Sequence, residues 1–215
     1  MSVLVAKELS SVLGSRLTIG RINIGLLNRI IIDDLMLNDQ SGKELLKVGR
    51  LSAKFEILPL FNGRISIGNV QLFSFNANLE KPTPQATSNF QFVLNAFASK
   101  DTVKKKSNLD LRINSLLIRR GRVSYDVLSA ERTPGKFNPQ HIRLSNILAN
   151  ISLKALQSDS INAAIKRMSI EEDHSGFELK KLSLKIVANN KKMWIENFAI
   201  DLPNTSCLLY TSDAA

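Results

Sequence analysis

Much of the usual equipment of an enzyme is missing from this chain. Its 215 residues include one cysteine, Cys207, so no disulfide can form within it. His141 and His174 are the only histidines, and neither has a second ligand at metal spacing. There is no phosphate-binding glycine loop, no Gly-x-Ser-x-Gly elbow and no Cys/His nucleophile pair. These absences predict a protein that is not an enzyme and uses no metal or organic cofactor. No run approaches the roughly 18 to 20 apolar residues needed to span a bilayer, and no secretory leader pattern is present, so the sequence as written reads as a soluble segment. Asn150-Ile151-Ser152 and Asn204-Thr205-Ser206 fit the glycosylation acceptor pattern, one that chance often produces.

What is present is alternation. Hydrophobic residues make up 44% of the chain and aromatics only 6%, so its apolar surface is aliphatic. Arg16-Leu17-Thr18-Ile19, Leu109-Asp110-Leu111-Arg112-Ile113 and Leu182-Ser183-Leu184-Lys185-Ile186 each alternate apolar and polar residues. A period of two puts the apolar side chains on one face of a sheet. Leu17 and Ile19 are out of phase with Ile22 and Ile24, which predicts a bulge near Gly20-Arg21. The same slip recurs at Lys180-Lys181, between Phe177/Leu179 and Leu182/Leu184.

Helical spacing of Val5, Leu9, Val12 and Leu13 before Gly14 predicts an amphipathic helix over 2–13. Strands are expected over 29–37, 44–56, 63–72, 73–80, 109–119, 122–127, 142–156, 160–171, 176–187 and 192–202. Asp39-Gln40-Ser41-Gly42 reads as a turn, 57–63 as a single helical turn, and 82–88 as a loop. Ser88 is placed as an N-cap before a stripe of Phe90, Val93, Leu94 and Phe97, giving a second helix over 89–98. Residues 99–108, with Lys104-Lys105-Lys106, read as a basic loop, and 128–140 as a long one. The pattern predicts a mainly β fold: an elongated, curled antiparallel sheet, a half-pipe or groove, with one or two short helices.

Other polar residues have structural readings. Glu171-Glu172-Asp173-His174 precedes Ser175-Gly176 and marks a hairpin turn. Asp33 and Asp34 are adjacent in a strand and are expected on opposite faces, where they could not act together. The net charge of +10 would suit nucleic acid or an anionic membrane equally, or a solvated basic face. The aromatic residues lie in apolar phase rather than beside the lysines, which argues against single-stranded nucleic acid. Residues 207–215 break the pattern, resemble translated adapter sequence and predict a non-native tail, leaving the strand over 192–202 without a following partner. Edge-to-edge association is expected from that exposed strand.

The run Arg16-Leu-Thr-Ile-Gly-Arg-Ile-Asn-Ile-Gly25 resembles the start of the periplasmic part of TamB proteins, within the wider AsmA-like group. The likeness continues through Ile30-Ile-Ile-Asp-Asp-Leu-Met-Leu-Asn-Asp-Gln-Ser-Gly-Lys-Glu-Leu-Leu46 and Leu60-Phe-Asn-Gly-Arg-Ile-Ser-Ile-Gly-Asn-Val-Gln-Leu72. Asn89-Phe-Gln-Phe-Val-Leu-Asn-Ala-Phe97 adds to it, and His174-Ser-Gly-Phe-Glu-Leu-Lys-Lys-Leu182 is similar to the form in Bacteroides-type bacteria. The likeness covers about residues 2 to 206. It implies a long β-groove anchored in the inner membrane and reaching the outer membrane, moving phospholipid and, with a barrel partner, assembling surface proteins. On that reading residues 1–14 follow a missing membrane anchor, 15–206 are groove and 207–215 are tail.

A groove reading assigns the lining to Leu17, Ile19, Ile22, Ile24, Leu35, Leu37, Leu109, Leu111, Ile113, Leu182, Leu184 and Ile186. Its partners would be phospholipids, the inner membrane and an outer-membrane barrel protein, and no nucleic acid. The other readings of the same alternation are an assembly scaffold that pairs a sheet edge with client strands and an ordinary β-sandwich core.

Overall fold

The computed structural model describes residues 6–7, 10–11, 13–25, 28–56, 65–98, 109–110, 114–157, 160–189 and 192–214. The chain is mainly β. One open sheet runs β1 (Leu17–Gly25), β2 (Arg29–Asn38), β3 (Glu44–Glu56), β4 (Ile65–Lys81), β6 (Ser115–Val127), β7 (His141–Gln157), β8 (Ser160–Glu172), β9 (Phe177–Asn189), β10 (Met193–Leu202) and β11 (Thr205–Ala214). Short β5 (Leu109–Asp110) lies beside β4. The sheet does not close into a barrel.

Every pairing between long strands is antiparallel except β4 with β6, which is parallel. The purely antiparallel expectation fails at this joint. A parallel return needs a long crossover, and residues 82–114 supply it, carrying helix α1 (Gln91–Ala98). Asn89 fastens the crossover to β4. Its side chain accepts from Glu80 N at 2.9 Å and donates to Asn78 O at 3.0 Å.

A core forms where α1 meets the sheet. Ala6, Leu17, Leu37 and Leu45 are buried there, with Leu13, Ile19, Leu46, Leu79, Phe90, Phe92 and Val93 packed against them. Ala6, Lys7, Ser10, Ser11 and Leu13 are helical, in line with the amphipathic helix read from the sequence. On α1 the stripe differs from expectation: Phe92 joins Phe90 and Val93, while Leu94 is 49% exposed. The helix also starts at Gln91 rather than directly after Ser88, because Ser88 O first closes a turn by accepting from Gln91 N at 3.1 Å. The Asp39 turn forms as read: its carboxylate accepts from Ser41 N, Ser41 Oγ and Lys43 N, and Gly42 takes φ +90°. The helical turn read at 57–63 and the basic loop at 99–108 lie outside the described residues.

One feature organises the sheet. In each long strand from β1 to β10 the apolar positions change phase across two consecutive residues, and β4 and β7 change a second time, between Ile67 and Val70 and between Leu153 and Leu156. Leu17 and Ile19 give way to Ile22 and Ile24, Ile30 and Ile32 to Leu35 and Leu37, and Leu116 and Ile118 to Gly121 and Val123. The pairs at the change are Gly20-Arg21, Asp33-Asp34, Gly49-Arg50, Phe73-Ser74, Arg119-Arg120, Ser145-Asn146, Lys166-Arg167, Lys180-Lys181 and Glu196-Asn197. From β1 to β6 register sets one residue of each pair in a transverse row, Arg21–Asp33–Arg50–Phe73–Arg119, while from β7 to β10 the pairs are staggered. The second residue is left-handed in five of the nine pairs: Asp34, Ser74, Arg120, Asn146 and Asn197 have φ between 49° and 58°. Such a residue is uncommon inside a strand, and here it turns its side chain to the same face as its predecessor. Asp33 and Asp34, Gly49 and Arg50, and Phe73 and Ser74 line one cavity of about 490 Å³. The expectation that Asp33 and Asp34 face opposite sides is therefore wrong: it assumed unbroken pleating, and the left-handed backbone at Asp34 breaks it.

The bulge expected at Gly20-Arg21 also takes another form. β1 and β2 change phase together, so their ladder passes through the crease without a register shift. Glycine makes room for this. A Cβ on Gly20 would lie 3.0 Å from Asp34 Cβ, and one on Gly49 3.3 Å from Ser74 Cβ. At Lys180-Lys181 the pairing between β8 and β9 does shift, as read. A row of kinks shared by neighbouring strands is a device for curving a sheet.

Two strand assignments are corrected by the same feature. The segments read as 63–72 and 73–80 are one strand, β4, with Phe73-Ser74 inside it. Those read as 109–119 and 122–127 resolve into β5 and a continuous β6 through Arg119-Arg120. A phase change looks like a strand end when only alternation is read. The unpaired edge is a further correction: Thr205–Ala214 forms β11 and pairs with β10, so β10 is not an exposed edge. Pro203 and Asn204 make the turn, and Cys207 and Leu208 continue a pattern compatible with a strand.

Candidate functional site

Two rows of direct cross-strand partners build an apolar band that lies beyond the crease from β1 to β7 and crosses it at Met168 and Ile200. The first runs Ile22, Ile32, Leu51, Leu72, Ile118, Ala149, Met168, Leu182, Ile200 from β1 to β10. The second runs Ile24, Ile30, Ala53, Val70, Leu116, Ile151, Ile165, Leu184 from β1 to β9. Directly paired residues share a face, so these rows form one aliphatic band. With strands about 4.8 Å apart it extends roughly 40 Å along the sheet. Most of its members are half-buried, and Ile24 is 77% exposed. Among the described residues no second sheet covers the band, so the sandwich arrangement weighed from the sequence does not occur there.

The proposed lining residues fall into three groups. Ile22, Ile24, Leu182 and Leu184 belong to the two rows, and Ile186 extends them, pairing with Ala163 and Ile195. Leu17, Ile19, Leu35 and Leu37 come together across β1 and β2 on the other side of the crease. There, however, Leu17 and Leu37 are sealed under Ala6 and the aromatic residues of the crossover, as core rather than accessible lining. Leu109 takes its place in β5 beside Ile65. Leu111 and Ile113 lie outside the described residues. The reading missed the middle of the band, from Leu51 and Ala53 to Met168 and Ile165. Their alternation was visible, but the phase change in every strand hid which residues share a face until partners were known.

The opposite face is polar. Arg29 Nη1 reaches across two strands to Ser52 Oγ at 3.2 Å and Gln71 Oε1 at 3.1 Å. Arg50 Nε bonds Asp33 Oδ1 at 2.6 Å, and this bond holds the Asp33 carboxyl below the usual carboxylate range. A second cavity, about 510 Å³, is lined there by Asn76, Arg122, Arg143 and Asn146 among others.

The two histidines share a small cavity of about 180 Å³ with the 132–138 loop. His141 is buried, with Nδ1 2.8 Å from Asp126 Oδ1 and Nε2 3.1 Å from Ala130 O. Both ring nitrogens are engaged, so neither is available to a metal. Among the described residues no group of three or more His, Cys, Asp or Glu side chains could hold a metal ion. No described helix is long and apolar enough to cross a membrane.

Glu172 caps the β8–β9 turn and is almost fully buried. Burial pushes its carboxyl up, but hydrogen bonds donated by Ser175 Oγ, Ser175 N, Arg143 N and His174 N outweigh this and lower it from 4.5 to about 2. A carboxyl lowered by folding contributes stability that is complete above its unfolded value and is lost as pH falls through the folded one. Here that window runs from pH 4.5 down to about 2, and the contribution is ~3 kcal/mol. Urea unfolding across this window should show a steep acid loss in the native chain and a shallow one in Glu172→Gln. Parallel curves would remove Glu172 as the cause.

No family model and no curated protein matches the chain.

Proposed function

We propose that the aliphatic band carries phospholipid acyl chains, and that the chain belongs to a periplasmic lipid bridge of the TamB type, anchored in the inner membrane. The observation that carries this reading is the pair of unbroken aliphatic rows from β1 to β9, on a sheet with one polar face. Covering a methylene is worth about 0.8 kcal/mol, so a fully covered acyl tail gains of order 10 kcal/mol. Ala, Val, Leu, Ile and Met repeat along the band without a polar interruption, which supplies affinity with no single deep site. A conduit requires this, since cargo held tightly at one point does not move on. The crease supports the reading too: a curved sheet wraps more of a tail than a flat one.

Native mass spectrometry and lipid extraction of the chain, purified without detergent from a bacterial host, test the proposal. Phospholipid is expected with the folded protein. Folded, monodisperse protein free of lipid, and unable to take up a fluorescent phospholipid from vesicles, would sink it.

A further inference from the structure

The crease doubles the density of polar side chains on one face, because both residues of each pair point there. In β1 to β4 the charges at these positions cancel: Arg21 and Arg50 stand among Asp33 and Asp34, and Arg50 is bonded to Asp33. From β6 to β9 positive charge is in excess: Asp201 stands across from Lys181 and Glu171 is bonded to Asn146, against six cations. Arg119-Arg120, Lys166-Arg167 and Lys180-Lys181 are all exposed, with neutral Ser145-Asn146 between the first two pairs. None of these six forms an ion pair with a described residue, and Arg119 rests 5.9 Å above the Phe73 ring. Three strand spacings, about 15 Å, separate β6 from β9. Arg119-Arg120 and Lys180-Lys181 lie at one level of the sheet and Lys166-Arg167 about two residues along from it, so six positive charges share one short strip. On β10 the strip ends at Glu196, which is bonded to Lys185 at 2.6 Å.

We infer that this strip docks the polar face onto the phosphate-bearing surface of an anionic phospholipid bilayer. The inference rests on the lipid-carrying reading, which requires the chain to work beside membranes. Charge complementarity selects the surface: a bilayer presents many phosphates in a plane, and a strip of unpaired cations on a sheet face meets several at once. Among the described residues Phe73 already lies under Arg119, and the exposed Phe177 shares its strand with Lys180-Lys181 but is in the apolar phase of β9, off the polar face. Neither gives a base a place to stack beside the six cations. Docking by the polar face also keeps the aliphatic band from being pressed into the bilayer, where it would compete for lipid nonspecifically.

Co-sedimentation of the whole chain with phosphatidylcholine vesicles, with and without phosphatidylglycerol, tests this at low and at physiological salt. The native chain should bind the anionic vesicles only, and more weakly as salt rises. Each cation near such a surface contributes about fivefold in affinity. Reversing two of them, in K166E/R167E, should therefore weaken binding by well over tenfold. The control K7E/K136E makes the same change in net charge at exposed sites off the strip and should bind as the native chain does. Equal loss in both variants, or none in the strip variant, would overturn the inference. So would tighter retention on duplex DNA than on the vesicles. Circular dichroism keeps misfolding from passing as a result; if K166E/R167E misfolds, K180E/K181E is read in its place. Lipid that co-purifies with the chain reports the band separately. A strip variant that loses vesicle binding should keep its lipid. A native chain that binds anionic vesicles but carries no lipid would leave the strip standing and the band reading refuted.

Discussion

Gly121→Val is expected to lower the unfolding free energy by about 3 kcal/mol, measured by urea titration. Gly121 follows the left-handed Arg120 on the apolar side of the crease and is buried. Any Cβ there would enter the space of the Phe75 ring edge, with Ile147 Cβ only 3.1 Å away on the other side. Phe75 is held by β3 and β4, where it pairs with buried Val48, so the ring has little freedom to retreat. The cost is overpacking, and shrinking the ring should relieve it. Phe75→Ala alone opens a cavity and destabilises by about 3 kcal/mol. Combined with Gly121→Val it should cost less than the sum, with a coupling of about 1–3 kcal/mol. Strict additivity would show that the two positions do not compete for the same space.

Alternation made the fold class readable, because a period of two is a direct imprint of the pleat. It located β2, β3, β7, β8, β9 and β10 closely, each within a few residues of its observed ends. It did not reveal that β4 and β6 lie parallel. That pairing depends on the crossover carrying α1 across the sheet, and nothing local in Ile65–Lys81 or Ser115–Val127 records the direction of its neighbour. The crease was half visible. The out-of-phase isoleucines at Ile22 and Ile24 and the lysines at Lys180-Lys181 signalled it at both ends of the chain. Its meaning was not visible, because a phase change in one strand reads as a bulge until the neighbouring strand is seen to share it. Leu17 and Leu37 were assigned to an accessible lining for a related reason. Their alternation is identical to that of Ile22 and Ile24, and only Ala6 and the crossover aromatics, distant in sequence, separate core from open face.

The acidic residues illustrate the same limit. Glu171-Glu172-Asp173-His174 reads correctly as a turn, yet one carboxylate in it is buried and held by donated hydrogen bonds while its neighbours stay near solvent. Sequence spacing places the turn. The direction in which each carboxylate points comes from the pairing of Glu172 with Phe177 and Leu144 on either side.

The largest functional effect is expected from one charge in the middle of the aliphatic band. Ile165 pairs with Ile151 and Leu184 within the second row, well inside the sheet on β8. Its neighbour Ala164 lies on the opposite face, paired with Ser152 and Lys185. Ile165→Asp and Ala164→Asp therefore add the same side chain to the same strand on opposite sides. Ile165→Asp carries the larger β-propensity penalty, since it replaces a β-branched residue rather than an alanine, but the difference stays within about 1 kcal/mol. In Ala164→Asp the new carboxylate would face Lys185, which favours the folded state. Only Ile165→Asp puts a carboxylate against the proposed path of the acyl chains. Holding a charge against a hydrocarbon chain costs several kcal/mol, so that variant should lose co-purifying phospholipid by at least about tenfold, while Ala164→Asp retains the native amount. Circular dichroism and urea midpoints for both variants separate lost lipid from lost fold. Equal retention in two folded variants would mean that lipid does not run along the band, and equal loss would mean that it is held elsewhere on β8.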